Sequence, residues 1–197
     1  MQLYYSSTSP YSRKVLVFAY ELEIIDSLEL IQVHPFDDPI ELRQNNPLGK
    51  VPTLILDNGE PLYDSPVIVN YLQILANKTA FSVENFVSQN RLQALGDGIM
   101  DAALSLVLEN RRIQEQRSPF WQQRWEESIL RSLKDFEEKY INDAQQWHIG
   151  SIAMVCSLDY LLFRLPINDW TQKYPKSANW FQVMMERQSM KITDPRN

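Results

Sequence analysis

The chain contains 197 residues, of which 44% are hydrophobic and 22% are charged. This composition is typical of a globular protein and excludes a disordered or fibrous one. The 25 acidic residues outnumber the 19 basic residues, so the net charge is -6 and a polyanion such as DNA would be repelled. No segment approaches the ~20 consecutive apolar residues that a membrane span requires.

The sequence has one cysteine, Cys156, and two histidines, His34 and His148. A single cysteine excludes an internal disulfide and a four-cysteine zinc site, and it suits a reducing compartment. The histidines lie far apart and no carboxylates cluster around them, so we expect no metal. The N-terminus lacks the basic and long apolar regions of a secretory signal, and we therefore expect a cytoplasmic protein.

The first part of the chain alternates between strand-like and helix-like patterns. The predicted strands are Gln2–Ser6, Leu28–Val33, Val51–Leu56 and Pro61–Tyr63. A helix is predicted over Pro10–Leu22, at most a short one over Pro39–Asn45, and a third after Ser65-Pro66, because proline suits the first helical position. The order βαβ(α)ββα requires a crossover between the first two strands and a hairpin between the last two.

From Phe81 onward the strand signals disappear and a helical period takes over. The helical stripe consists of Trp125, Ile129, Leu133, Phe136 and Tyr140. The segment Ile152–Leu165 is apolar on nearly every side, which predicts a buried helix. We therefore expect an α/β domain over residues 1–76, a linker over 77–85 and an all-helical domain over 86–197.

Gly96 and Gly98 fall inside a predicted helix of this second domain. Each glycine costs a helix about 1 kcal/mol relative to alanine, which indicates close packing against a neighbour. Ser151 and Met154 begin the buried helix with only half of a capping arrangement, so its cap is expected to be incomplete. Cys156 is expected to be a packed thiol.

Ser9 and Pro10 lie where the first strand turns into the first helix. Backbone N–H groups and the positive end of the helix stabilise an anion at such a turn. Thioredoxin-like proteins carry C-x-x-C here, but this chain has no sulfur at the position. A serine hydroxyl can instead donate a hydrogen bond to a bound thiolate and lower the thiol pKa below about 8.5. The alternative is that Ser9 acts only as a helix cap.

Two further segments have features of a binding site. In the segment Asn46–Pro52, a cis Val51–Pro52 bond would leave the N–H and C=O of Val51 free to pair with a peptide-like ligand. In Asp64-Ser65-Pro66, the Ser65 hydroxyl and the first helical N–H groups suit a carboxylate, whereas Asp64 suits an amine. An ordinary proline at a strand start and a plain helix cap are the alternatives.

Taken together, N-P-L-G-K-V-P followed by D-S-P resembles the glutathione S-transferase family, and most closely its bacterial serine- or cysteine-type (theta-, omega- or beta-like) members. The resemblance covers essentially the whole chain and implies a thioredoxin-like βαβαββα domain followed by an all-α domain that contributes the electrophile pocket. It also implies that Val51, beside Pro52, pairs with the cysteinyl backbone of glutathione. Asp64 and Ser65 would bind the γ-glutamyl end, and Lys50 the glycyl carboxylate.

The catalytic position is less sharply defined by the resemblance. Alignment on Pro10-Tyr11-Ser12-Arg13 puts the catalytic hydroxyl at Ser9, whereas a shifted alignment favours Ser7 or Ser6. The family's dimer interface implies that Asp97 or Asp101 assists the γ-glutamyl amine across subunits, the alternative being a plain polar helix face.

Some side chains near these segments allow two interpretations. Arg13 follows the Ser9 turn and is expected on a solvated helix face, although it could reinforce the anion site. Arg111 and Arg112 are expected in solvent at the end of a long helix. The aromatic residues of the second domain either line an apolar substrate pocket or belong to the core, namely Phe120, Trp121, Trp125 and Tyr160.

The resemblance implies a homodimeric, detoxifying transferase that conjugates glutathione, as co-substrate and without a metal, to a small apolar electrophile. A second hypothesis is a non-catalytic interaction protein of this fold, like the stringent-starvation type of regulator, which does not require Lys50, Asp64 and Ser65. A third is a glutathione-dependent thiol oxidoreductase, which would need a cysteine at position 9.

Overall fold

The computed structural model describes residues 1–76, 82–165 and 170–197. The chain divides into two compact units. The first comprises Met1–Phe81 together with Gln188–Asn197, and the second comprises Ser82–Arg187. Among the residues described, no helix combines the length and apolar character needed to cross a bilayer.

The first unit contains a four-stranded mixed sheet. Its strands are β1 (Gln2–Tyr5), β2 (Glu29–Gln32), β3 (Thr53–Ile55) and β4 (Pro61–Leu62), in the spatial order β2-β1-β3-β4. β1 is parallel to β2, and β3 is antiparallel to both β1 and β4. The crossover and the hairpin expected from the sequence are therefore both present. Strand ends differ from the predicted ones by a few residues, because ladder hydrogen bonds rather than apolar runs define them.

Helices are numbered along the chain. The first unit contains α1 (Pro10–Glu21), α2 (Ile40–Asn45) and α3 (Ser65–Leu75). The second contains α4 (Val83–Arg111), α5 (Pro119–Asp135), α6 (Ile149–Arg164), α7 (Trp170–Lys173) and α8 (Pro175–Met185), and α9 (Gln188–Ile192) belongs to the first unit. A π-helical turn follows α5 over Phe136–Tyr140. Short 3-10 turns cover Ile25–Ser27, Pro35–Asp37, Gln114–Gln116 and Asp143–Gln145.

The core of the first unit lies between the sheet and the helices α1 and α3, which pack against each other. Its fully buried side chains include Leu3, Val15, Leu54, Ile68 and Leu72. Ser9 caps α1 and Pro10 begins it, as predicted. The N-cap position of α3 is Asp64 rather than the predicted Ser65, which is already the first residue of that helix. Each helix thus directs its N-terminal end into a loop that follows a strand.

The C-terminal segment 188–197 was assigned by sequence to the helical domain, but it packs on α1 in the first unit. Arg13 is only 4% exposed, and its guanidinium donates to the carbonyl oxygen of Met190 at 2.9 Å and to the hydroxyl of Thr193 at 3.3 Å. The Ser189 hydroxyl donates to the Glu21 carboxylate. The prediction of a solvated Arg13 is therefore wrong, because α9 covers it.

The structure describes only part of the predicted linker 77–85. Residues 77–81 lie outside the described part of the chain. The Ser82 hydroxyl accepts a hydrogen bond from the N–H of Asn85 and caps α4, which begins at Val83. Residues 83–85 are therefore helical rather than part of a linker.

α4 and α6 make the most extensive helix contact among the described residues of the second unit, and glycines allow their close approach. A Cβ atom on Gly96 would lie 2.6 Å from the carbonyl carbon of Ala153, and one on Gly150 would lie 2.5 Å from the carbonyl oxygen of Gln89. A Cβ on Gly98 would meet no atom within 4 Å. The close packing expected at both glycines of α4 is therefore present at Gly96 and absent at Gly98.

The cap of α6 differs from the expectation. His148 Nδ1 accepts hydrogen bonds from the N–H groups of Gly150 and Ser151 at 3.0 and 3.3 Å, and Ser151 Oγ accepts from the N–H of His148 at 2.9 Å. This reciprocal pair forms a complete capping box three residues before the predicted one. The helix itself is buried from Ile149 through Leu161, including Cys156, as predicted.

Candidate functional site

Three loops of the first unit meet at one end of the sheet. Tyr4 pairs with Thr53, and Leu62 pairs with Leu54. Because β1 and β4 both run antiparallel to β3, the loops that follow β1 and β4 lie beside the segment that precedes β3. This end of the sheet collects the predicted site residues Ser7, Ser9, Lys50, Val51, Pro52, Asp64 and Ser65.

The two remaining predicted site residues, Asp97 and Asp101, belong to the second unit. Both lie on α4, four residues apart, and therefore on one face of that helix. Asp101 is exposed and Asp97 is half-buried.

Ser9 caps α1 and retains a free donor. Its hydroxyl oxygen accepts a hydrogen bond of 3.2 Å from the N–H of Ser12. This bond uses a lone pair, and the O–H finds no acceptor among the residues that the structure describes. Ser9 therefore stabilises the helix and can still donate a hydrogen bond to a ligand at the helix N-terminus.

The neighbouring serines have different surroundings. Ser7 is exposed and makes no hydrogen bond with a described residue. Ser6 is buried, and its hydroxyl lies 3.5 Å from that of Thr8. Ser12 is buried, and its hydroxyl accepts a hydrogen bond from the N–H of Ser6. Of these hydroxyls, only that of Ser9 occupies the cap of α1.

The segment before β3 presents an unpaired stretch of backbone. The Val51–Pro52 peptide bond is cis, which is one of the two conformations considered from the sequence. The N–H and C=O of Val51 have no hydrogen-bond partner within the described chain. Beside them, the exposed ammonium of Lys50 has no carboxylate partner among the described residues. A peptide-like ligand could pair with this backbone as an added strand does.

Asn46 holds this segment in place, a role that the sequence analysis missed. Its buried Nδ2 donates to the carbonyl oxygen of Lys50 and to the hydroxyl of Thr53, both at 3.0 Å. Its Oδ1 accepts from the N–H of Leu48 at 3.0 Å. Gly49 adopts φ +60 in the turn between them. The signal available in the sequence was an asparagine at the end of a short helix, directly before a proline.

The start of α3 combines a buried serine with an exposed aspartate. Ser65 is only 2% exposed, and its hydroxyl has no hydrogen-bond partner among the described residues. The exposed Asp64 carboxylate precedes it and makes no capping hydrogen bond. The hydroxyl is therefore free to donate a hydrogen bond to a ligand. With the helix N-terminus, this arrangement suits a ligand that carries both a carboxylate and an amine.

Comparisons with known proteins identify the family of the chain. Residues 3–80 match the model of the glutathione S-transferase N-terminal domain. The uncharacterized GST-like protein YibF of Escherichia coli (strain K12) is 34% identical over 202 residues, covering 99% of this chain and 98% of that protein. The chain belongs to the glutathione S-transferase family.

Solved structures of other family members have the same fold. A glutathione transferase family member from Pseudomonas fluorescens Pf-5 with bound glutathione is 34% identical, covers 98% of both chains and has a TM-score of 0.92. A structure from the same organism with bound S-(propanoic acid)-glutathione is 33% identical, covers 99% of both chains and has a TM-score of 0.87. The predicted fold class, a thioredoxin-like domain followed by a helical one, is thus confirmed.

In the helical unit of this transferase family member, the aromatic residues do not form one group. Ile129, Leu133 and Phe136 of the predicted stripe are buried. In contrast, Phe120 and Trp121 are exposed at the start of α5, and Trp121 stacks on Trp125 with ring centroids 5.8 Å apart. The aromatic residues are therefore partly core and partly surface.

Proposed function

We propose that this protein binds glutathione at the end of the sheet where the three loops meet. The observation that carries the proposal is the Ser65 hydroxyl, which has no hydrogen-bond partner among the described residues and directly follows the exposed Asp64 carboxylate at the start of α3. The γ-glutamyl end of glutathione carries the matching pair, an α-carboxylate and an α-ammonium. The glutathione-bound relative from P. fluorescens supports the same ligand.

The rest of the tripeptide has matching groups in the neighbouring segments. The cysteinyl N–H and C=O would pair with the free backbone of Val51, in the manner of an added strand. Pro52 borders this stretch, and the exposed Lys50 ammonium would bind the glycyl carboxylate. Each charged or polar end of glutathione would thus meet a group that has no partner among the described residues.

The proposed reaction is the transfer of an alkyl or aryl group to glutathione. The Ser9 O–H donates a hydrogen bond to the thiolate, and the positive end of α1 adds to its stabilisation, so that the thiol pKa falls below about 8.5. The thiol proton passes to solvent. The sulfur then forms a bond with the electrophilic carbon, and the leaving group departs with its electron pair.

The acceptor in this proposal is a small, largely apolar electrophile held by the helical unit, and the role is detoxification. The P. fluorescens structure with S-(propanoic acid)-glutathione supports a thioether product. No metal takes part. The single cysteine, Cys156, suits the reducing cytoplasm as the place of action.

We further propose that the protein is a homodimer. Apolar side chains are exposed on α3 and at the start of α4, namely Val67, Ile74, Leu75, Val83, Phe86 and Val87. On each of these helices, a dimer contact would remove the exposed apolar side chains from water, which favours association. In the dimer, Asp97 or Asp101 of one subunit would assist the γ-glutamyl amine bound by the other. Light scattering should show a dimer for the wild type and a monomer for Phe86→Glu. A monomeric wild type would contradict the proposal.

Calorimetric titration with glutathione tests the binding site. The wild type should bind with a dissociation constant in the micromolar to millimolar range, roughly -8 to -4 kcal/mol. Ser65→Ala should abolish binding and leave the unfolding midpoint unchanged or higher, because the lost hydroxyl has no partner in the described chain. The control is Ser27→Ala, which removes an exposed hydroxyl from the same unit and should bind normally.

The titration, together with two activity assays, separates the other hypotheses. A wild type that binds no glutathione would contradict the transferase proposal and favour an interaction protein of this fold. Reduction of hydroxyethyl disulfide with glutathione would instead favour an oxidoreductase. Conjugation of an aromatic halide without disulfide reduction is the outcome that we expect.

A further inference from the structure

The α4–α5 tip, which comprises residues 108–124, exposes large apolar side chains to water. At the start of α5, Phe120 is 65% exposed and its neighbour Trp121 is 47% exposed. Ile113 is also exposed, in the connection between the two helices. Removing such side chains from water is favourable, so a group of them on one hairpin favours contact with an apolar phase or partner.

The tip protrudes from the helical unit and is nevertheless well ordered by hydrogen bonds. No residue from 108 to 124 is buried, and the half-buried ones are Glu109, Ser118 and Gln122. The Glu109 carboxylate accepts from the N–H of Ser118 at 2.6 Å. Gln122 Nε2 donates to Asn110 Oδ1 at 2.8 Å. The hairpin therefore presents its exposed side chains on a fixed backbone.

The aromatic rings at the start of α5 touch one another. Phe120 meets Trp121 edge to face, with ring centroids 5.3 Å apart. Trp121 stacks on the half-buried Trp125, with ring centroids 5.8 Å apart. These contacts join the three rings into one exposed apolar surface rather than scattered side chains.

Positive charge surrounds this aromatic surface in an otherwise acidic protein. Residues 108–124 contain four arginines and two glutamates, whereas the whole chain has a net charge of -6. Arg124 lies four residues after Phe120 and three after Trp121, so it shares their side of α5. Arg117 and Arg124 are exposed, and neither makes an ion pair with a described residue.

The combination of exposed rings and arginines suits the interfacial region of a lipid bilayer. Indole and phenyl rings enter the boundary between headgroups and acyl chains, while guanidinium groups bind lipid phosphates. A peptide ligand would bind in a groove, whereas this hairpin protrudes. A nucleic acid base would stack on a free ring face, but Trp125 already stacks on Trp121. A bilayer requires no matching shape.

We propose that the α4–α5 tip binds the surface of a membrane that contains anionic lipids. Phe120 and Trp121 insert at the interface, and Arg117 and Arg124 bind the phosphates. The binding is peripheral and reversible, because a few side chains hold a protein less firmly than a spanning helix does. It places the helical unit beside the phase in which apolar molecules dissolve, and it does not depend on the proposed transferase function.

Co-sedimentation of the full chain with vesicles tests the proposal. The wild type should bind vesicles of phosphatidylglycerol and phosphatidylcholine and should bind phosphatidylcholine alone more weakly. Salt at about 1 M should release it, because the Debye length falls to roughly 3 Å. The double variant Phe120→Ser, Trp121→Ser should lower the partition coefficient about tenfold. Arg124→Gln should lower it about fivefold.

Matched controls lie on α8. Val183→Ser removes an exposed apolar side chain and Lys176→Gln an exposed cation. α8 packs against the π-helical turn Phe136–Tyr140, which follows the other end of α5, about 25 Å from the tip along a helix of 17 residues. Both controls should bind vesicles like the wild type. The tip variants should keep the wild-type unfolding midpoint, because they change exposed side chains.

Quenching by brominated lipids locates the contact. Vesicles of brominated phosphatidylcholine with phosphatidylglycerol should quench the tryptophan fluorescence of the wild type. Trp121→Phe keeps an aromatic ring and should still bind, but with less quenching. Equal quenching in the two proteins would contradict insertion of Trp121.

Three further outcomes would overturn the proposal. The first is a wild type that does not bind anionic vesicles, and the second is tip variants that bind them like the wild type. The third is a wild type that binds no vesicles while the double variant changes the molar mass in light scattering, which would assign the tip to a second copy of the chain. The vesicle assay contains no glutathione, so its failure would leave the proposed glutathione site untouched.

Discussion

Asn46 and Thr53 close the loop between α2 and β3 through a hydrogen bond of 3.0 Å from the amide Nδ2 to the hydroxyl oxygen. The same Nδ2 donates to the carbonyl oxygen of Lys50, which also accepts from the Thr53 hydroxyl at 2.9 Å. One buried side chain thus holds both ends of the segment that contains Val51. The free backbone of Val51 is ordered by this network, so its ability to bind a ligand depends on Asn46.

Asn46→Ala should therefore reduce both stability and ligand binding. Loss of a buried amide that satisfies several groups should lower the free energy of unfolding by about 2–3 kcal/mol, measured by chemical denaturation. The affinity for glutathione should fall as well, because Val51 is no longer held. Asn58→Ala is the control, since the side chain of Asn58, within the described chain, bonds to Glu60 alone in an exposed turn. Equal effects of the two substitutions would contradict this role.

Ser9→Ala should shift the titration of the bound thiol. The variant loses the helix cap and about 1 kcal/mol of stability. It also loses the donor to the thiolate, so the thiol pKa of bound glutathione should rise. The pH profile of kcat/KM for the electrophile, measured at saturating glutathione, should then move to higher pH. The ultraviolet absorbance of the thiolate, followed against pH, measures the shift. Ser7→Ala is the matched control; a shift there and none in Ser9→Ala would assign the role to Ser7.

Alanine at the two glycines of α4 should have effects of opposite sign. Gly98→Ala should stabilise the protein by about 0.5–1 kcal/mol, because the helix gains propensity and the new methyl group meets no atom within 4 Å. Gly96→Ala should destabilise it by about 1–3 kcal/mol, because the backbone of Ala153 and Met154 stands within 3 Å of the new Cβ. Urea denaturation measures both values. Stabilisation by Gly96→Ala would show that α4 and α6 separate easily.

His148 should make the stability of the helical unit depend on pH. Burial lowers the pKa of His148 below its ordinary value of 6.5, and only the neutral ring can accept the N–H groups of Gly150 and Ser151 at Nδ1. Between the pKa of His148 in the folded protein and 6.5, the unfolded chain therefore binds more protons than the folded one. The contribution of neutral His148 to the free energy of unfolding is therefore complete above pH 6.5. It is lost as the pH falls towards the pKa of His148 in the folded protein.

His148→Asn separates capping from titration. Asparagine is a good helix cap that carries no proton equilibrium, so this variant should show a smaller fall in unfolding temperature from pH 7 to pH 5 than the wild type. His148→Ala should lose about 1 kcal/mol at neutral pH because the cap is absent. A wild type and His148→Asn with the same pH dependence would contradict the assignment to His148.

Much of the candidate site was accessible from sequence because its signals are local. Ser9-Pro10 and Ser65-Pro66 mark helix starts by the constraint of proline on φ, and both helices begin there. Asn46 was missed because its role depends on Lys50 and Thr53, which reach it only after the loop closes. The cap of α6 was missed because histidine is not among the usual capping residues.

The sequence by itself determined the division into an α/β part and a helical part, the order of strands and helices, and the segments that bind the ligand in our proposal. These properties follow from periodicity, prolines and caps, which act over a few residues. Only the tertiary structure decided that α9 buries Arg13, and that Gly96 but not Gly98 contacts α6. Such outcomes depend on which distant segment packs against a side chain, and no local pattern contains that information.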